Sequence, residues 1–178
     1  MTASFRSKLD SSYYYGSATL TLAKPAGVVE GDVLVAVMLN LDASRTLNTY
    51  TGWTIERESS QGSPTGTKMW VLSKKAGASE PASYSFVFSG SFDGAANIIA
   101  FKDADAVHVD DAAPVSAVDS SSPYPASSPT ITTTLNDCLL VSVQGLRVTS
   151  TGGTPTYTQP DGYTTRLFAG VSYENRFL

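Results

Sequence analysis

The stretch Lys24–Leu41, KPAGVVEGDVLVAVMLNL, decides the fold. It opens on a tight Glu-Gly-Asp turn, in which Gly31 is expected to take a backbone geometry that other residues resist. Asp32 is expected to hold that turn through local hydrogen bonds. Beyond it the chain is almost wholly apolar. Read with the two-residue period of a strand, Val33, Val35, Val37, Leu39 and Leu41 share one face, and Leu34, Ala36 and Met38 share the other. Both faces are therefore apolar, and such a strand belongs in the middle of a sheet, covered on both sides.

Working outward, ANIIAF (96–101) behaves in the same way, with Ile98 and Ile99 facing opposite directions, so the two segments are expected to be neighbours in one sheet. SYSFVFSGS (83–91) alternates instead. Tyr84, Phe86 and Phe88 lie on one face, and Ser85 and Ser89 lie with Val87 on the other, as in a strand with one face on the core. Similar segments recur along the chain, each bounded by Gly, Pro, Asn, Asp or Ser, and none has a sustained helical period. The predicted strands are Tyr13 to Ala23, Asp32 to Leu41, Trp53 to Ser59, Lys68 to Lys74, Ala82 to Ser89, Ala95 to Lys102, Thr130 to Leu135, Cys138 to Leu146 and Tyr163 to Phe168. The expected fold class is all-β, an antiparallel β-sandwich of jelly-roll type.

Composition agrees. The 178 residues suit a single domain that buries roughly 70% of its unfolded surface. Charged residues are 16% of the chain, with a net charge of −4, which argues against a basic nucleic-acid surface. No run is long and apolar enough for a membrane span, and the N-terminus lacks the apolar stretch of a signal peptide. The lone cysteine, Cys138, sits in CLLVSV and reads as a small buried hydrophobe.

GDVLVAVMLNL…TYTGWT and NDCLLVSVQGL…TYTQPDGYT can be aligned as a degenerate internal duplication. Convergent turn chemistry explains the match equally well. The Pro/Ser-rich segment Asp110–Pro129 is a connector. The favoured organisation is one domain over 1–178 with this connector between sheets. The alternative is a domain over 1–109 followed by an incomplete second module over 130–178.

Catalytic constellations are sparse. The single histidine, His108, is flanked by Asp103, Asp105 and Asp110, a weak alternative as a metal site, because Asp-rich turns need no metal. A Ser-His-Asp site would have to recruit the same histidine. The expectation is no enzyme, no catalytic residues, no cofactor and no metal. Aromatic residues are the better lead. Tyr13, Tyr14 and Tyr15 alternate faces, so at least one ring is expected to reach solvent, where tyrosine gives a large contact area at low entropic cost. Trp53 and Tyr163, at matching places in the duplication, are the other candidates, with a core role as the competing reading.

PAGVVEGDVLVAVM, GWTIERES, MWVLSKKAGASEPASYSFVFSGS and ANIIAFKDAD occur in an order and spacing that resemble a β-sandwich module of bacteriophage minor tail and fibre-like virion proteins, also seen in repetitive bacterial surface proteins. The shared residues include Pro25, Gly27, Gly31, Asp32, Gly52, Trp53 and the segment Ala76–Phe86, read as a hairpin joining MWVLSK to SYSFVF with a solvated Lys74/Lys75/Glu80 tip. The resemblance implies a non-enzymatic structural subunit, tail-associated or decorating the capsid, located in the virion after assembly in the host cytoplasm. Its expected partners are other virion proteins and further copies of itself, with no nucleic acid and no membrane span. The alternative is a carbohydrate- or receptor-binding adhesion module serving host attachment.

Overall fold

The structure, a computed structural model, describes residues 3–10, 12–62, 66–105, 139, 141, 143, 146–148 and 170–172. Seven strands form one open antiparallel sheet: β1 (Ser4–Lys8), β2 (Ser12–Ala23), β3 (Val33–Asn40), β4 (Leu47–Thr49), β5 (Thr54–Gln61), β6 (Thr67–Lys75) and β7 (Ser83–Lys102). A separate parallel pair joins β8 (Leu146–Val148) to β9 (Gly170–Ser172). No helix occurs among the described residues, which form an all-β fold.

β3 takes the central place its composition demands. β6 flanks it on one side and β7 on the other, with Val35 opposite Ser73 and Ile99, and Ala36 opposite Leu72 and Ile98. Its two faces enter different clusters. Leu34, Ala36 and Met38 face the main core, and Val33 and Val35 pack with Ile99, Phe101 and Phe5 on the opposite face. These four β3 and β7 side chains are buried at 3–7% exposure within a single chain. The cover expected on both sides of β3 is thus present at these positions.

The turn before β3 is tied from three directions. Gly31 has φ +88° and donates its N–H to the Ala76 carbonyl at 2.9 Å, while the Ala76 N–H reaches the Asp32 carbonyl at 2.7 Å. The Asp32 carboxylate accepts the Val29 N–H at 2.9 Å and lies 2.5 Å from Nε of Arg6 on β1. A buried carboxylate needs such partners to offset its desolvation.

β7 departs most from the sequence reading. Two strands were expected, over Ala82 to Ser89 and Ala95 to Lys102, but the backbone stays paired through the Ser-Gly and Asp-Gly steps. Its first half pairs with the end of β2 and with β4, and its second half with β3, β1 and the start of β2. The sheet folds over along this strand, giving a sandwich-like arrangement whose core lies between its two halves. Glycine permits the close approach needed there: a Cβ on Gly94 would sit 1.8 Å from the Leu39 carbonyl oxygen.

Aromatic rings join the halves. Trp70 on β6 meets Phe88 at 5.3 Å, Phe88 meets Phe92 at 4.9 Å, and Trp53 meets Tyr84 edge-on at 5.1 Å. Such pairs contribute about 0.5–1.5 kcal/mol each beyond area burial. Trp70 is fully buried, yet its indole N–H reaches Glu58 on β5 at 2.9 Å, so no donor is lost.

The expected hairpin between MWVLSK and SYSFVF is also corrected. β6 pairs with β3 and β5, and the first half of β7 lies across the core from it, so Ala76–Ala82 is an arch between layers. β1 and β4 were not expected. The predicted strands Thr130 to Leu135 and Tyr163 to Phe168, the connector, most of the second repeat and Cys138 lie outside the described residues. Of Cys138 to Leu146, Leu139, Val141 and Val143 are described outside any strand, with Leu139 44% and Val141 43% exposed.

Candidate functional surface

The three tyrosines sit where β2 changes register against β7. Tyr14 is opposite Gly94 and Ser17 opposite Phe92, leaving Tyr15 and Gly16 as a bulge. Gly16 has φ +77° and donates its N–H to Asp93 Oδ1 at 2.9 Å, which fixes the bulge from the neighbouring strand. Tyr13 is half-buried against Leu39 and Ala95, and Tyr14 is half-buried against the main core. Burial raises the pKa of Tyr14 by desolvating its phenolate, a hydrogen bond with Ser12 acting in the opposite direction. Tyr15 is 79% exposed, the most exposed large hydrophobic side chain among the described residues. The triplet is thus divided into two anchored rings and one presented ring.

Trp53 occupies a different environment. It is buried against Tyr84 and Phe86, so its ring offers no face to a ligand, and the core reading replaces the binding one. Its indole N–H finds no acceptor among the described residues. Tyr163 lies outside the described residues, as do His108 and Asp110 of the weak metal set. The remaining two, Asp103 and Asp105, are exposed, and Asp103 adopts φ 58°, a conformation aspartate tolerates better than most side chains. Among the described residues no three potential ligands gather into a metal-holding group.

Sequence reasoning missed the polar knot inside the arch. The Glu80 side chain is only 7% exposed, accepts the Gly77 N–H at 2.7 Å and the Tyr84 hydroxyl at 2.9 Å, and lies 3.3 Å from Lys74 Nζ. Lys74 Nζ also stands 5.7 Å from the centre of the Tyr84 ring. Burial by itself would raise the carboxyl pKa of Glu80, but the hydrogen bonds from Gly77, Tyr84 and Lys74, together with the Lys74 charge, reverse this and lower it. Tyr84 is pushed upward, first by desolvation and then by the hydrogen bond to Glu80 and its charge. Only the spacing Gly77-x-x-Glu80, with Tyr84 four residues on, hinted at this knot.

Comparison with known protein families, with curated proteins and with solved structures finds no match. Among the described residues no helix is long and apolar enough to cross a membrane.

Proposed function

We propose that the chain is a non-enzymatic structural subunit of a bacteriophage particle, tail-associated or decorating the capsid, that acts through contacts with other virion proteins. One observation carries this reading: the segments that resemble the phage module are committed to scaffolding. Asp32 locks the turn before β3, Trp53 fills the core on Tyr84, and Glu80 ties the arch. Side chains so engaged hold a shape. A rigid bulge that presents Tyr15 then supplies a contact group of the type enriched at protein interfaces. Assembly in the host cytoplasm, location in the virion and association with further copies belong to the same proposal.

The test is immunogold labelling of purified particles with antibody against this chain. Labelling of tail or shell is expected, and unlabelled particles would contradict the proposal. The exposed Tyr15 ring also favours a second reading, an adhesion module that stacks on host-surface carbohydrate. A glycan array separates the two: binding lost in Tyr15→Ala supports adhesion, and silence supports the assembly role.

A further inference from the structure

We infer that the outer edge of β2, Ser17–Ala23, pairs with the same edge of a second copy of this chain. Lys24 donates its N–H to the Ala82 carbonyl at 2.9 Å, toward β7. Backbone groups alternate between the two edges of a strand. Those of Leu20 and Leu22 therefore point to β7, opposite Phe86 and Tyr84, and those of Thr19, Thr21 and Ala23 point away from it.

Thr19 is already satisfied. The Ser17 hydroxyl donates to its carbonyl at 2.9 Å and accepts its N–H at 3.1 Å. Thr21 and Ala23 have no such cap among the described residues, and both side chains are exposed. Pro25, two positions on, offers no N–H. Among the described residues, the open groups are thus the N–H and C=O of Thr21 and of Ala23.

These four groups complement themselves. A two-fold axis at Leu22 sets Thr21 of one copy opposite Ala23 of the other and the reverse, giving two hydrogen-bonded pairs and four N–H···O=C bonds. Thr19, capped, then falls opposite Pro25, and neither needs a partner. Charge also favours a copy here. The edge strand β5 carries Glu56, Arg57 and Glu58, the guarding that sheet edges normally show, whereas Ser17–Ala23 carries no charge at all. In a chain of net charge −4, this edge lets two copies meet without like charges opposed. The small contact makes it a weak, concentration-dependent dimer. The inference stands on edge geometry and charge and not on the particle reading, so failure of the particle experiment leaves it untouched.

Sedimentation equilibrium of the full chain, from about 1 µM to about 1 mM, tests it. The wild type is expected to populate a dimer. Thr21→Pro deletes an outward N–H without touching the ladder to β7, and Thr21→Lys places a charge on the edge. Both are expected to lose the dimer while keeping the circular dichroism spectrum and melting profile. If Thr21→Pro fails to fold, Thr21→Lys decides. A wild type that stays monomeric throughout, or a dimer that persists in a folded variant, overturns the inference.

Discussion

The carboxylate of Asp32, 2.5 Å from Arg6 Nε, joins the turn before the central strand to β1, the first strand of the chain. Asp32 is buried, while the Arg6 side chain retains 27% exposure and can rehydrate if its partner is lost. Asp32→Ala is therefore expected to destabilise the domain by about 2–3 kcal/mol, below the cost of stranding a fully buried partner. Asp32→Asn should cost about half as much, because its amide oxygen can still accept the Val29 N–H. Urea unfolding measures both, and equal losses would contradict this, because the whole effect would then lie in the charge facing Arg6 and none in the Val29 hydrogen bond.

Glu80 gives a pH dependence with a definite sign. Its carboxyl pKa is lowered in the folded chain relative to an ordinary glutamate near about 4.3, so the unfolded state takes up its proton first. The stability this supplies is complete above that ordinary value and is lost as pH falls through the folded one. Glu80→Gln should cost about 1 kcal/mol at neutral pH, and the difference from wild type should shrink on acidification below about pH 4. Melting curves at several pH values check this, and a gap independent of pH would refute it.

Trp70 and Tyr15 mark opposite ends of the burial scale. Trp70 is fully buried at the junction of β6 with Phe88, and Trp70→Ala should cost about 3–5 kcal/mol. Tyr15→Ala should change stability by no more than about 0.5 kcal/mol. A large loss at Tyr15 would mean that its ring supports the fold.

Two glycines of β7 separate backbone from side-chain crowding. A Cβ at Gly94 would meet the Leu39 carbonyl at 1.8 Å, so β3 and β7 would have to part, at about 3 kcal/mol. A Cβ at Gly90 would meet the Arg45 guanidinium at 2.4 Å, and that side chain can swing away, so Gly90→Ala should cost about 1 kcal/mol. Thermal melts of the two variants should rank in that order, and the reverse ranking would contradict the geometry.

What could be read from the residues, and what could not, follows from the range of the interactions involved. The pairing of β3 with the second half of β7 was legible because alternation makes both faces of Val33–Asn40 and of Ala95–Phe101 apolar. The continuity of β7 was hidden because Ser89, Gly90, Asp93 and Gly94 look like a reversing turn. Instead they serve a fold in the sheet, with Ser89 accepting the Thr46 N–H and Asp93 capping Gly16. The arch at Ala76–Ala82 was misread as a hairpin because Gly77 and Pro81 suit either. What separates them is the packing of Trp70 on Phe88 across the core, a contact no local pattern contains. β1 and β4 are short and show no alternation, which leaves no local signal to find. At the surface, the triplet Tyr13–Tyr15 was legible, but which ring is presented depended on the Gly16 bulge.

The central claim is that this scaffold presents Tyr15 for assembly into a particle. Quantitative mass spectrometry of purified particles, grown with either the wild-type chain or Tyr15→Ala, tests it most directly. The account predicts a constant number of wild-type copies per particle and a drop of about tenfold or more for the variant. Particles free of the wild-type chain, or equal incorporation of the two, would contradict it.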